Sequence, residues 1–263
     1  MTTKTRIASL LFTIGLLFSI STVAHAQDTF EIQVYEYETV PKGKWNLETH
    51  FNFIAKGTKT PEGKVAPSDN QFHLTFELTR GITENFEMAG YLVLAHRPDG
   101  GLEYVGTRLR PRYSLPKKWG LPVDISLSAE VGLPREIYEE NSVTLELRPI
   151  IEKKIGRFQM DFNPVIGRAL RGPGKKEWDF EPGVRFGYEV TKKFDLSLEY
   201  YGSTGPLGNA LPTDEQVHQL YPGWDLQLND NVVWNFGIGV GVTPAGNKLV
   251  YKSRIGILFG KGN

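Results

Sequence analysis

The chain has 263 residues, a formal net charge of zero and no cysteine. The lack of cysteine excludes disulfides, thiolate metal sites, cysteine nucleophiles and lipid attachment through a cysteine. The balanced charge argues against a nucleic-acid partner, because binding to phosphates requires an excess of basic side chains.

The N-terminus has the pattern of a secretory signal peptide. Lys4 and Arg6 precede the apolar stretch 7–20, and Ala24-His25-Ala26 is a small-residue cleavage site. We therefore predict a cleavable signal peptide over residues 1–26. Its removal takes away two basic residues and no acidic one, which leaves the mature chain with a net charge near −2.

After this segment, no stretch approaches the roughly 18 consecutive apolar residues that a membrane helix requires. A protein of this kind can cross a membrane only through strands that close on themselves, because lipid offers no partner to an unpaired backbone group.

The remaining chain alternates polar and apolar residues with period two. The clearest example places apolar side chains on one face and polar ones on the other over Phe194-Asp195-Leu196-Ser197-Leu198-Glu199-Tyr200. Similar segments are predicted at 44–55, 71–80, 85–95, 103–115, 122–132, 142–153, 157–167, 178–190, 193–202, 215–228, 231–242 and 248–259.

Short turns and long loops alternate between these segments, as in outer-membrane barrels. We predict an all-β chain with a single antiparallel transmembrane β-barrel of about 12 strands over residues 44–263. Residues 27–43 are then an N-terminal segment that either lies on the periplasmic side or lines the lumen. Pairing of this segment with the final strand is a further alternative.

One face of each predicted strand is apolar and is assigned to lipid, and the opposite face is charged. The predicted lumen-lining residues are Glu48, Glu77, Glu87, Arg108, Arg110, Arg112, Glu130, Glu146, Arg148, Glu181, Arg185, Glu199 and Arg254. Charges inside a barrel must be solvated or paired. The lumen is therefore either wet, as in a pore, or filled by a salt-bridge network.

Arg108, Arg110 and Arg112 form a basic ladder on one strand. They either make an electropositive wall that attracts anions or pair with glutamates on neighbouring strands.

Aromatic and small residues mark two further features. Trp45, Trp119 and Trp234 fall near predicted turns and Trp178 near the opposite rim, which is typical of the aromatic girdles at a membrane interface. A glycine stripe at Gly237, Gly239 and Gly241 predicts free space on one face, which would suit the N-terminal segment or a bulky partner, or else eases the curvature of the strand.

A catalytic site is not predicted. The nearest match to the histidine and serine pair of barrel lipases is His73-Leu74-Thr75, where threonine replaces serine and both side chains face the lumen. No metal-ligand spacing occurs. We therefore predict no enzyme, no metal and no cofactor.

Four short motifs carry a family resemblance: Ile32-Gln33-Val34-Tyr35, Val40-Pro41-Lys42-Gly43, Trp45-Asn46-Leu47-Glu48 and Gly81-Ile82-Thr83-Glu84-Asn85-Phe86-Glu87. They resemble the putative Gram-negative outer-membrane transporters linked to the meta pathway of phenol degradation. The resemblance implies a barrel that passes small organic molecules and supplies no catalytic residues. The stretch Arg254-Ile255-Gly256-Ile257-Leu258-Phe259 looks like the signal for the outer-membrane assembly machinery, although four residues follow it.

The sequence thus predicts a Gram-negative outer-membrane channel for passive uptake of small polar or aromatic solutes through a charged lumen. Its predicted partners are outer-membrane lipid, a small solute and the assembly machinery, with no nucleic acid. Two alternatives stay open: a closed structural or sensing barrel without flux, and a lipid-modifying enzyme.

Overall fold

The computed structural model describes residues 28–174 and 177–262, which form one closed antiparallel barrel of twelve strands. The strands are β1 Trp45–Lys56, β2 Phe72–Gly81, β3 Phe86–His96, β4 Leu102–Ser114, β5 Asp124–Pro134, β6 Val143–Ile155, β7 Phe158–Arg171, β8 Asp179–Thr191, β9 Phe194–Ser203, β10 Val217–Asn229, β11 Val232–Gly241 and β12 Leu249–Phe259. This confirms the predicted all-β barrel of about twelve strands. The predicted signal peptide, residues 1–26, lies outside the described residues.

The barrel closes through the pairing of its first and last strands. Trp45 of β1 lies opposite Phe259 of β12, and the register runs to the other rim, where Phe53 lies opposite Tyr251. Every other strand pairs with its neighbours along the chain, so the sheet has no free edge. Both edges of β12 are occupied, by β1 and β11, which leaves no edge for the N-terminal segment.

Four of the five connections at one end of the barrel, the short-turn end, have two to four residues, and the fifth is residues 115–123. Connections at the other end, the long-loop end, have five residues or more, and the longest are 57–71 and 204–216. The largest difference from the predicted boundaries is at β7, which continues to Arg171 instead of ending at 167. It does so because Val143 of β6 still pairs with Arg171, so this hairpin extends beyond the neighbouring strands. A one-turn 3₁₀ helix over Lys117–Trp119 lies in the turn between β4 and β5. Among the described residues, no helix is long and apolar enough to cross a membrane.

The burial pattern of the wall is the reverse of that in a soluble protein. In β9, Leu196 and Leu198 are 50% and 45% exposed, whereas Glu199 on the opposite face of the same strand is 3% exposed. Leu92, Leu109 and Leu127 repeat this outward exposure on other strands. Apolar side chains outside and polar side chains inside are the arrangement of a barrel surrounded by lipid.

Residues 28–40, hereafter the lumen segment, lie inside the barrel. They form no strand, and their side chains at Ile32, Val34, Tyr35 and Tyr37 are at most 5% exposed. The segment passes from the long-loop end to the short-turn end, where residues 41–44 form the turn that leads into β1. The lumen therefore contains a second stretch of polypeptide, as in the alternative in which the N-terminal segment lines it, and the charged side chains of the wall surround this stretch.

Candidate functional site

The lumen is the candidate functional site, and the wall binds the backbone of the lumen segment through side chains. Asn163 on β7 makes two hydrogen bonds to Tyr35: the backbone N–H of Tyr35 donates to Asn163 Oδ1 at 2.7 Å, and Asn163 Nδ2 donates to the carbonyl at 3.0 Å. The N–H of Val40 donates to Glu87 Oε2 at 2.6 Å, and that of Tyr37 to Glu152 Oε2 at 3.0 Å.

Donors on other strands satisfy the carbonyl groups of the same segment. These donors are Asn52, Thr75, Arg112, Ser114, Ser126 and Lys252, at distances of 2.6–3.3 Å. Buried backbone groups need such partners. Small hydroxyl and amide side chains on inward positions of many strands therefore bind an extended chain in the lumen.

Tyr35 is the central side chain of the lumen segment. Its hydroxyl lies 2.9 Å from that of Tyr91 and also donates to Glu31 of the same segment. The guanidinium groups of Arg148, Arg110 and Arg112 lie 4.5, 4.7 and 5.4 Å from the centre of its ring. Such contacts are favourable because the face of the ring is electron-rich. Three arginine side chains of the wall thus surround the ring of Tyr35.

The arginine ladder of β4 is paired with carboxylates. Arg110 contacts Glu77 on β2 and Glu87 on β3, and Arg112 Nε lies 2.8 Å from Glu87 Oε1. Arg108 lies 3.2 Å from Glu130 on β5 and also contacts two acids of the lumen segment, Asp28 and Glu31. Of the two arrangements considered for these arginines, the structure contains the one with glutamate partners. The sequence analysis missed Asp28 and Glu31 as partners.

The other predicted lumen-lining residues also lie on inward faces, and none of the thirteen is exposed. Further ion pairs join Arg254 to Glu48 at 2.8 Å, Arg148 to Glu146 at 2.8 Å, Arg185 to Asp161 and Asp225 at 3.4 and 2.7 Å, and Lys252 to Glu199 at 2.5 Å. Glu181 lines a cavity beside the lumen segment. Their role in conducting solutes stays a prediction.

The space beside the lumen segment is small. The cavity lined by Glu181, Asp28, Glu146 and Arg148 has a volume of about 30 Å³. This volume corresponds to roughly two or three water molecules, since one water needs roughly 10–15 Å³ on the same measure. This cavity is therefore too small for a sugar or an aromatic solute while the segment is in place.

Three buried tyrosines of the lumen were missed by the sequence analysis. Tyr91, Tyr201 and Tyr221 are at most 5% exposed and lie on the inward positions of β3, β9 and β10. Each is separated by an even number of positions from an inward polar residue of its strand, namely Glu87, Glu199 and Gln219, and this was the available signal. The predicted lumen-lining set contained only charged residues.

The free space predicted along the glycine stripe of β11 is absent at all three glycines, and at Gly241 the carbonyl oxygen of Asn247 occupies it. A Cβ atom at Gly239 would overlap the ring of Tyr221, and one at Gly237 would lie 3.0 Å from the Lys252 side chain. Side chains of adjacent strands and the Asn247 carbonyl group fill the stripe, so the prediction of room for the N-terminal segment or a partner was wrong there.

The predicted interface tryptophans lie at both ends of the wall. Trp45, Trp119 and Trp234 are at or near the short-turn end, and Trp178 directly precedes β8 at the long-loop end. The sequence analysis missed Trp224, whose ring lies tilted against that of Phe236 with centres 4.7 Å apart, beside Trp234. Their membrane-interface role stays a prediction.

Loops at the long-loop end fold over the start of the lumen segment. Tyr138, in the loop 135–142, is 9% exposed and packs edge-on against Phe30 with ring centres 5.8 Å apart. The loop 57–71 joins it, since Lys64 Nζ donates to Glu136 at 2.8 Å. This hydrogen bond raises the pKa of the Lys64 ammonium group above its ordinary value.

The residues considered for lipid hydrolysis also face the lumen segment. His73 Nδ1 lies 3.1 Å from the carbonyl oxygen of Thr29, and its ring stacks on Phe30 at 4.0 Å. The hydroxyl of Thr75 donates to the carbonyl of Phe30 at 2.9 Å. Both side chains therefore contact the segment inside the barrel.

A closed twelve-stranded barrel with an apolar outer band and a polar interior has the fold of porin-like outer-membrane barrels. Solved structures share this fold. An outer-membrane channel from Pseudomonas putida F1 aligns with a TM-score of 0.58 and 13% identity over 87% of this chain and 100% of that one. The NanC porin aligns with a TM-score of 0.53 and 6% identity, covering 82% of this chain and 99% of that one.

The KdgM porin, in a structure with disordered oligogalacturonate, aligns with a TM-score of 0.50 and 8% identity over 82% of this chain and 99% of that one. No family model matches the sequence. No curated protein matches it either. At these identities the likeness establishes the fold.

Proposed function

We propose that this protein is a channel for passive uptake of small polar or aromatic solutes, located in the outer membrane of a Gram-negative bacterium and closed at rest by its lumen segment. The observation that carries the proposal is the way the segment is held. Within the described residues, none of positions 28–40 is paired in the sheet, whereas the wall closes through its own ladder. Departure of the segment therefore leaves every strand pairing intact.

The lumen chemistry supports the solute class. With the segment displaced, Arg110, Arg112 and Arg148 lose the Tyr35 ring that they now surround. An aromatic solute can replace that ring, and arginine forks also bind carboxylates. The resemblance to transporters linked to phenol degradation is consistent with aromatic solutes.

The proposal extends to the surroundings of the barrel. Outer-membrane lipid would cover the apolar band, which includes Leu92 and Leu109. The assembly machinery would recognise the end of β12, with Phe259 as its aromatic residue.

The filled lumen also favours a second candidate, a closed structural or sensing barrel without flux. Tyr35, Glu77, Glu87 and Arg110 are at most 3% exposed, so the middle of the lumen has no open passage among the described residues. The two candidates differ in whether the segment leaves under working conditions.

Single-channel recording in planar bilayers tests the proposal. We expect the wild-type protein to show ohmic openings and a variant lacking residues 28–40 to stay open longer. A variant lacking residues 59–64, in the loop 57–71, controls for deletion as such. Arg110→Glu should shift the open channel toward cations, because it reverses a charge on the lumen wall.

The outcomes separate the candidates. A silent wild-type protein with a conducting deletion variant indicates a closed barrel. Silence of both, with folded and inserted protein, excludes a channel.

A further inference from the structure

Three potential metal ligands from three elements meet in the lumen. Glu31 of the lumen segment, His50 of β1 and Glu77 of β2 have donor atoms that all lie within 4.8 Å of one another. Their side chains are among the most buried of the chain, at 4%, 1% and 2% exposure. Imidazole nitrogen with carboxylate oxygen is a common donor set for Zn²⁺ and related first-row cations.

A buried nitrogen atom of His50 without a hydrogen-bond partner is a second observation, besides the clustering of the three side chains, that indicates a bound metal ion. Among the described residues, no hydrogen-bond partner reaches its buried Nε2. The nearest acidic oxygens are Glu48 Oε2 at 3.8 Å and Glu77 Oε2 at 3.9 Å. These distances are too long for hydrogen bonds. Donor atoms around a tetrahedral metal, with bonds of about 2.0–2.2 Å, lie roughly 3.3–3.5 Å apart, so metal binding requires the three side chains to move together by up to roughly 1 Å.

Guanidinium groups bind the carboxylates around these ligands and are shared among them. Ion pairs connect Arg108 to Asp28, Glu31 and Glu130, Arg110 to Glu77 and Glu87, Arg112 to Glu87, and Arg254 to Glu48 and Asp225. Glu31 shares Arg108 with two other acids, and Glu77 shares Arg110 with Glu87. In these ion pairs, neither carboxylate ligand has a guanidinium group to itself.

Neighbouring side chains orient both carboxylates. Arg110 and the hydroxyl of Thr79 bind Glu77 at Oε1, which leaves Oε2 on the side of His50. The Tyr35 hydroxyl donates to Glu31. Partners of this kind around ligands fix their direction and strengthen metal binding.

We propose that Glu31, His50 and Glu77 bind a divalent first-row cation of the Zn²⁺ class. The bound ion links the lumen segment to β1 and β2, and it therefore stabilises the segment in the lumen by mass action. The nitrogen ligand disfavours Ca²⁺ and Mg²⁺, which prefer oxygen ligands. This inference does not depend on whether the barrel conducts solutes.

Metal titration of the tag-free protein in detergent tests the site. The protein is treated with a chelator, the chelator is removed, and Zn²⁺ is titrated in a calorimeter. We expect one ion per chain and a higher unfolding temperature with Zn²⁺ than with Ca²⁺. Co²⁺ should give the visible absorption bands of a low-symmetry site with nitrogen and oxygen ligands.

Ligand variants decide the assignment. His50→Ala should weaken Zn²⁺ binding by at least ~10-fold, because loss of a partner around a ligand alone costs ~10–100-fold. Glu31 belongs to no strand, so Glu31→Gln leaves the strand pairings of the wall intact and tests the site even where His50→Ala folds poorly. His96→Ala, at an exposed position at the end of β3, is the matched control and should bind as wild type does.

Two results would overturn the proposal. One is the lack of stoichiometric Zn²⁺ binding by the folded wild-type protein. The other is binding that persists unchanged in both His50→Ala and Glu31→Gln.

Discussion

The wall of the barrel and the lumen segment differ in how their backbones are satisfied. In the wall, each strand exchanges backbone hydrogen bonds with two neighbours, and the circle closes between β1 and β12. In the lumen segment, residues such as Tyr35 and Val40 bond to side chains of Asn163 and Glu87. The wall is therefore complete without the segment, whereas the segment has its conformation only inside the wall.

The two regions also differ in what holds them together. Cooperative backbone hydrogen bonds between neighbouring strands stabilise the wall. The segment relies on burial of side chains such as Ile32 and Val34, on single hydrogen bonds and on ion pairs. Substitutions that separate wall stability from segment binding test this difference.

The largest effect is expected for Arg110→Ala, which affects both regions. Arg110 pairs with Glu77 and Glu87 and contacts the Tyr35 ring, so its loss leaves two buried carboxylates without their shared partner. We expect a loss of ~3–5 kcal/mol in the free energy of unfolding, as for other broken buried ion pairs. Urea unfolding in detergent, followed by tryptophan fluorescence, measures it.

Arg171→Ala is the control for that measurement, because Arg171 is exposed at the end of β7. Equal losses of stability in the two variants would contradict the central place of Arg110 in the network.

A smaller and more local effect is expected for Tyr35→Ala. The substitution removes a buried aromatic ring and its hydrogen bonds, so binding of the segment to the wall should weaken by ~3 kcal/mol. Limited proteolysis should then cleave near the N-terminus, while the unfolding temperature of the wall changes little. Tyr35→Phe keeps the ring and should weaken binding by only ~1 kcal/mol. Unfolding of the whole barrel by Tyr35→Ala would show that the wall depends on the segment.

The smallest effect is expected for Lys64→Ala at the rim. Its ion pair with Glu136 joins two side chains that are 70% and 58% exposed. Water and salt screen such pairs. We expect no measurable change in the unfolding temperature or in protease access to the segment. A clear increase in protease access would show that the loops, and not the wall, retain the segment.

The wall was predictable from the sequence because its signals are local. Alternation with period two marks each strand, and turn residues separate neighbouring strands. The same alternation predicted which residues face inward, including Arg110 and Glu199. It did not predict the end of β7, because pairing with β6 beyond residue 167 depends on a partner strand and not on the local pattern.

The contents of the lumen were not predictable in the same way. Glu31, His50 and Glu77 are brought together by strand stagger and by the path of the segment, neither of which is visible in local alternation. The partners of the segment come from strands far apart in sequence; Asn163 is 128 positions from Tyr35. Inward tyrosines such as Tyr221 were missed because aromatic residues suit both lipid and a filled lumen.

The central claim is that the lumen segment closes the barrel and opens it by leaving, and a reversible cross-link tests this directly. The chain has no cysteine, so a Val34→Cys/Gly183→Cys variant has one available disulfide. A Cβ atom at Gly183 would lie 3.4 Å from Val34 Cγ2, within reach of a disulfide between the segment and β8.

Single-channel conductance of this variant is compared before and after reduction, with Val34→Cys alone as the control. The account predicts silence in the oxidised state and openings after reduction, with no effect of reductant on the control. The same conductance, or none, in both states of the double variant would contradict it.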